Sequence, residues 1–333
     1  MAKSSGPRSS GPGSSGPKPS EPKSARPTSA GAKWSGAKSS EARPFIHRTL
    51  IDCAALAARL GDPALVLLDC RFDLADAGAG RRAWQAGHLP GAQHADLERD
   101  LSGPPTPLSG RHPLPDPVQL ATRLGALGVG PDTQVVAYDD GPGAMAARLW
   151  WLCRWIGHEA VAVLDGGLRA WRAAGGSVTA ATSAPQPREL HPRRSLARTA
   201  TADSLHAATL AAAGTCLVDA RTPQRFRGQA EPIDPVAGHV PGARNHPFER
   251  NLDADGRFLP PAALRERWAQ TLGGARPQQV VAMCGSGVTA CHLLLALEHA
   301  GLPGARLYAG SWSEWIRDPR RPVATGVDTA ADD

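Results

Sequence analysis

At 333 residues and 41% hydrophobic content, the chain is long enough for two ordinary domains with real cores. No run approaches the roughly 18 apolar residues of a membrane span and no apolar leader follows Met1. Six cysteines lack paired CxxC spacing, so the expectation is a cytoplasmic chain without a disulfide framework or zinc ribbon. The net charge of +6 lies wholly in residues 1–44, where eight basic residues face Glu21 and Glu41; the remaining 29 basic and 29 acidic residues cancel, which argues against a specific nucleic-acid partner.

Residues 1–44 are rich in Ser, Gly and Pro and cannot build a core, which predicts a disordered basic tail. Their frequent prolines and glycines also prevent the amphipathic helix of a transit peptide. From residue 45 the composition changes. A helix-like stretch over 53–60 leads into a buried strand over 66–71 that ends in Asp69 and Arg71. Next come Gly87-His88-Leu89-Pro90-Gly91-Ala92 and a strand over 135–138 that runs into Asp139-Asp140-Gly141-Pro142-Gly143. A helix around Trp150, Trp151 and Trp155 follows, then a strand over 161–164 and the block Gly166-Gly167-Leu168-Arg169-Ala170-Trp171.

The same order then recurs. Leu217-Val218-Asp219-Ala220-Arg221 stands 150 residues after Leu67–Arg71, and Gly238-His239-Val240-Pro241-Gly242-Ala243 stands 151 after its counterpart. Cys284 follows Asp139 by 145 residues, and Gly310-Ser311-Trp312 with Trp315 follows Gly166-Gly167-Leu168 with Trp171 by 144. Four blocks at a nearly constant offset mean a duplicated domain of about 130 residues. The expected boundaries are 45–180 and 201–326, joined by 181–200 and followed by a short C-terminal tail, 327–333. Pro185, Pro187, Pro192 and four arginines make the connection polar and proline-broken. Alternating strands and helices predict an α/β fold in which each half is an open, mostly parallel sheet with helices on both faces. The site then lies beyond the carboxyl ends of the strands.

At that place in the second half stands Cys284, between the apolar run Val280-Val281-Ala282-Met283 and an apolar helix. A thiol there meets unpaired backbone N–H groups and the positive end of a helix dipole, both of which favour the thiolate. Gly285 and Gly287 let the backbone curl toward one point, and Ser286 and Thr289 add hydroxyls. The first half carries Asp139 instead, which cannot act as a sulfur nucleophile. One active site is therefore expected, in the second half and facing the first.

These blocks, with Cys284-Gly285-Ser286-Gly287-Val288-Thr289-Ala290 and Gly310-Ser311-Trp312-Ser313-Glu314-Trp315, resemble the tandem-domain rhodanese family over residues 45–326. The resemblance implies an inactive first domain, a catalytic second one, and a cysteine persulfide that carries sulfane sulfur. The loop resembles the mercaptopyruvate sulfurtransferase branch; thiosulfate enzymes typically carry Arg and Lys where Gly285 and Ser286 stand. Implied partners are 3-mercaptopyruvate or thiosulfate as donor and a low-molecular-weight thiol, a thioredoxin-like protein or cyanide as acceptor, with no metal or organic cofactor. By the same resemblance Arg225 binds the donor carboxylate, and Gly285, Gly287, Val288 and Thr289 complete the substrate loop. Ser286 acts with a histidine and an aspartate of the first half, matched here by His88 and, in spacing, by Asp76. His239 occupies the same block as His88, so a turn-holding role for both stays open.

The Glu-Pro-Arg context that often supplies a second arginine reads Glu231-Pro232-Ile233-Asp234 here, so one carboxylate anchor is expected to be missing. That predicts a preference for 3-mercaptopyruvate with measurable thiosulfate activity, the uncharged Gly285-Ser286 pair offering the thiosulfate dianion no cation. Two other classes compete. A cysteine-dependent phosphatase would close its loop with an arginine where Ala290 stands, and a non-catalytic sulfur carrier or scaffold would not need the complete loop of the second half.

Overall fold

The structure is a computed structural model that describes residues 46–209 and 214–326; the expected tails at 1–44 and 327–333 lie outside the described residues. The first half runs β1 (Leu50–Ile51), α1 (Cys53–Ala57), β2 (Leu65–Asp69), α2 (Ala79–Ala86), β3 (Gln93–His94), α3 (Pro117–Ala126), β4 (Gln134–Tyr138), α4 (Ala146–Trp155), β5 (Val161–Leu164) and α5 (Gly167–Ala173). The second half repeats it as β6 (Arg198–Ala200), α6 (Ala202–Thr209), β7 (Cys216–Asp219), α7 (Pro223–Phe226), β8 (Arg244–Asn245), α8 (Pro261–Leu272), β9 (Val280–Met283), α9 (Thr289–His299), β10 (Arg306–Tyr308) and α10 (Ser311–Trp315).

Local chemistry starts these helices. Asp52 caps α1 by accepting the N–H of Ala55 at 2.8 Å, and Asp116 caps α3 by accepting those of Val118 and Gln119, with Pro117 at the first helical position. α9 has no such side-chain cap. Its first turn is left to the loop that carries Cys284.

Both sheets are parallel throughout, in the orders β1-β5-β4-β2-β3 and β6-β10-β9-β7-β8. The chain leaves β2 and β7 toward one edge and then returns to the other side, which makes β2/β4 and β7/β9 the switch points of the two sheets. Asp219 is level with Met283, so the loops after β7 and β9 emerge side by side. β4 and β9 are buried along their whole length, as strands covered by helices on both faces must be.

Each strand end is tied down in the same way. Arg71 pairs with Asp69 at 2.6 Å and donates to the Gly87 carbonyl at 2.8 Å; Arg221 pairs with Asp219 at 2.7 Å and donates to the Gly238 carbonyl at 2.8 Å. These are the two Asp-x-Arg blocks gripping the two Gly-His-x-Pro-Gly-Ala turns. The outer sheet faces have separate cores, whereas the inner faces share one that includes Trp150 and Trp151 of α4 and Leu294 and Leu297 of α9. Each such side chain contributes on the order of 1.5–3 kcal/mol when buried, so the halves are held as one body. The connection at 183–197 has neither helix nor strand and bonds along the first half, from Arg188 to Gly125 and from Arg193 to Ile156.

Candidate active site

The nucleophile loop begins where β9 ends. Ser311 holds it from behind, accepting the Cys284 N–H at 3.0 Å while donating to the Tyr308 carbonyl at 2.9 Å. Ser311 is the one non-glycine described residue at positive φ, 53°, where its counterpart in the first half is Gly167. Such a backbone is costly for an L residue, and the bond to Cys284 is what offsets it. The N–H groups of Trp312 and Ser313 take the carbonyls of Cys284 and Gly285, both at 2.9 Å. With these carbonyls turned away, the Gly287 N–H points at Cys284 Sγ, 3.1 Å distant. Only glycine fits at 287: its φ is 77°, and a Cβ there would lie 2.2 Å from the Ala309 carbonyl.

The first half shows what this loop does with an anion. There the Asp139 carboxylate accepts N–H groups from Gly141 and Gly143 at 3.0 Å, Met145 at 2.9 Å and Ala146 at 3.2 Å. The duplicated cradle is filled by its own carboxylate. Four backbone N–H groups thus converge on one carboxylate and work against the burial that pushes its pKa up.

Cys284 is only 2% exposed and opens on a cavity of about 140 Å³ lined by both halves. Gly285, Ser286, Val288, Thr289 and Arg225 come from the second half, and Phe72, Leu97, Arg111, His112 and Met145 from the first. Arg225 is gripped by Glu231, from Nε and from Nη2 at 2.7 Å, and its Nη2 also reaches Asp234 at 3.2 Å. Arg111 pairs with the other oxygen of Asp234 through Nη1. This leaves Arg225 Nη1 and Arg111 Nη2 with no partner among the described residues. They lie 3.6 and 3.0 Å from where a Cβ on Gly285 would stand, so both face the cavity beside Cys284.

His112 Nδ1 is 2.8 Å from Ser286 Oγ. Burial pushes its pKa down to about 4, helped by the charges of Arg148 and Arg111, so the imidazole is neutral at pH 7. The segment that carries Arg111 and His112 is pressed onto the second half: the Arg111 N–H donates to Ser313 Oγ at 3.1 Å, and a Cβ on Gly110 would sit 2.4 Å from the Gly310 carbonyl.

The structure brings Cys284, Gly285, Ser286, Gly287, Val288, Thr289 and Arg225 together, but not His88 or Asp76. His88 is buried with Nδ1 2.6 Å from the Trp84 carbonyl and its ring stacked on Trp84 at 4.6 Å. His239 does the same in the second half, 2.7 Å from the Phe226 carbonyl and stacked on Phe226 at 3.8 Å. Both hold their turns. Asp76 is exposed and paired with Arg82, and among the described residues no carboxylate bonds His112. The histidine beside Ser286 is therefore His112 and not His88.

Where residues 231–234 bring no second arginine, the first half brings the Arg111 guanidinium beside Gly285. It also supplies positive charge beside Gly285 that the loop itself lacks. Sequence reasoning missed Arg111 and His112 because they lie in a proline-broken stretch, 104–115, outside the four blocks that define the repeat. The available signal was a fifth recurrence, Gly110-Arg111-His112 standing 146 residues before Gly256-Arg257-Phe258, with a histidine only in the first copy.

A larger cavity of about 290 Å³ between α4 and α9 is lined by Trp150, Trp151, Arg154 and Glu298 and holds no nucleophile. Among the described residues no group of three or more His, Cys, Asp or Glu could hold a metal ion, and no helix is long and apolar enough to cross a membrane.

Residues 52–174 and 201–318 each match the rhodanese-like domain. The chain is 55% identical over 279 residues to the probable 3-mercaptopyruvate sulfurtransferase of Pseudomonas aeruginosa, covering 83% of this chain and 98% of that protein. It is 42% identical over 282 residues to the putative thiosulfate sulfurtransferase SseB of Mycobacterium tuberculosis, covering 84% and 98%. The solved structure of 3-mercaptopyruvate sulfurtransferase from Leishmania major matches with a TM-score of 0.71 at 30% identity, covering 82% of this chain and 76% of that one. With a rhodanese-like domain in each half and relatives matched over nearly their whole length, the chain belongs to the rhodanese family of sulfurtransferases.

Proposed function

We propose that the protein moves sulfur from 3-mercaptopyruvate to a thiol through a persulfide on Cys284, with the second half catalytic and the first half supplying residues to its site. The observation that carries this reading is the Ser286–His112 pair beside the sulfur, 2.8 Å apart. The donor carboxylate binds the free nitrogens of Arg111 and Arg225, which places its sulfur over Cys284. The Cys284 thiolate attacks that sulfur and the carbon–sulfur bond breaks. Cys284 then carries the persulfide, and the bonding pair leaves on carbon as the enolate of pyruvate. Ser286, with its hydroxyl oriented by neutral His112, relays to that enolate the proton the donor thiol brought, now on the outer persulfide sulfur, so that pyruvate forms and the hydroxyl is restored. An acceptor thiolate takes the outer sulfur and restores the Cys284 thiolate.

Thiosulfate leaves sulfite, a stable anion that needs no proton. The Ser286–His112 pair therefore favours mercaptopyruvate, in line with the 55% identical relative of that name. Thiosulfate is the second reading, because a sulfonate suits the same two guanidinium groups. We assign the acceptor role to a low-molecular-weight thiol or a thioredoxin-like protein; Leu74 and Ile233, 44% and 43% exposed, give the cavity an apolar rim for such an approach. All six cysteines are free, which supports a reducing compartment such as the cytoplasm. We place the division of the chain between α5 and β6, since Arg198–Ala200 already pairs in the second sheet.

Mass spectrometry of the protein treated with 3-mercaptopyruvate, without acceptor, tests the proposal. One added sulfur is expected on Cys284, and none in Cys284→Ser, which also loses pyruvate release. Sulfur on Cys291 or Cys70, or full turnover by Cys284→Ser, would overturn it.

A further inference from the structure

Arg111, Arg221 and Arg225 around the sulfur each share a carboxylate, but Arg148 does not. Arg148 sits in the first turn of α4, wholly buried, and among the described residues no acid lies within ion-pair distance of it. Its Nη1 donates to the Gly287 carbonyl at 3.2 Å and its Nη2 to the carbonyls of His112 at 3.1 Å and Pro113 at 3.4 Å, while its Nε is buried with no partner. Carbonyl dipoles do not neutralise a full charge, and the first turn of a helix, the positive end of its dipole, is an unfavourable place for a cation. Removing a guanidinium from water in this way requires a compensating anion.

Two sulfurs meet the same residue that Arg148 grips: Cys291 Sγ lies 3.3 Å from the Gly287 carbonyl, and Cys284 Sγ lies 3.1 Å from the Gly287 N–H. Cys291 donates its S–H to the Gly287 carbonyl at 3.3 Å, and burial holds its thiol up to about 12 against the pull of Arg148, so it stays protonated. Cys284, whose sulfur receives the N–H of Gly287, is the remaining candidate.

We propose that Arg148, contributed by the first half, is the counter-charge of the sulfur anion on Cys284, first as thiolate and then as persulfide, and fixes the cradle by gripping the Gly287 carbonyl. It is a positioning residue: it touches the loop and the His112 segment, not the donor. The first half is then required for the reactivity of the second, because the cation behind the nucleophile belongs to α4. This rests on Cys284 being the nucleophile, which sulfur transfer by Cys284→Ser tests separately.

The test follows alkylation of Cys284 by iodoacetamide in the full chain, by peptide mass spectrometry from pH 5 to 10, in wild type, Arg148→Gln and Arg148→Lys. Loss of the charge in Arg148→Gln should slow alkylation at pH 7 by about tenfold or more, with recovery toward pH 10, whereas Arg148→Lys should stay within about threefold of wild type. Wild-type rates in Arg148→Gln, an equal loss in Arg148→Lys, or a deficit that persists at pH 10 would overturn the proposal. A second pair leaves the arginine alone. Cys284→Asp keeps an anion facing Arg148, as Asp139 occupies the first-half cradle, so it should melt above Cys284→Asn at pH 7; Asn melting at or above Asp would equally overturn it.

Discussion

Replacing His112 by Ala separates the two donors. Its ring is 2.8 Å from Ser286 Oγ and buried, so the change leaves the hydroxyl without its orienting partner and a hole beside it. Protonation of a leaving carbanion by a positioned group is worth roughly 10²–10⁴-fold, so kcat/KM for 3-mercaptopyruvate should fall by about two orders of magnitude or more. Sulfite needs no proton to leave, so thiosulfate turnover should fall by no more than a few-fold. Pyruvate release from one donor and thiocyanate formation from the other, with cyanide as common acceptor, give the two numbers. Because burial holds His112 down to about 4, its own protonation should not depress mercaptopyruvate turnover until the pH approaches that value. Equal losses for both donors would refute the proton-transfer role and leave His112 as a prop for the loop.

Arg111→Met and Arg225→Met should each raise KM for either donor by about 10- to 100-fold, the cost of one charge-assisted bond at roughly 1.5–3 kcal/mol, with kcat less affected; an unchanged KM in Arg111→Met would remove the first half from donor binding. Ser311→Ala leaves the buried Cys284 N–H unmet and should destabilise by about 1–3 kcal/mol and slow sulfur transfer, read by chemical denaturation alongside turnover. His246 and His292 are buried neutral, with burial pushing their pKa values to about 4 and about 3. The unfolded chain takes up protons near 6.5 that the folded chain refuses, so stability is full above that pH and is lost as pH falls toward 4. Melting scans from pH 7.5 to 4.5 should show a steady fall, shallower in His246→Gln.

The repeat itself was legible because sheet register and helix packing demand the same residue types at the same places in both copies. Asp69 and Arg71 recur as Asp219 and Arg221, each tying a strand end to a Gly-His-x-Pro-Gly-Ala turn, so the block order alone gave two parallel sheets and put Cys284 at the carboxyl end of a strand. The glycines around it announced the cradle, since a positive φ at 287 and the close approach of the Ala309 carbonyl admit nothing else.

What the sequence determined was therefore everything set by local backbone chemistry: strand, tight loop, helix N-terminus and the sulfur between them. Tertiary structure decided which groups from the other half reach that sulfur. His88 had the motif but is held by Trp84, while Arg111 and His112, in a short Gly-Arg-x block repeated at Gly256-Arg257-Phe258, arrive on an irregular stretch pressed against Ser313 and Gly310. Arg148 carried no signal of its own in the sequence, and only the packing of α4 against α9 buries it behind the Cys284 loop with no carboxylate partner among the described residues. Contacts between segments more than a hundred residues apart depend on how two sheets dock, and side-chain periodicity carries no record of that docking.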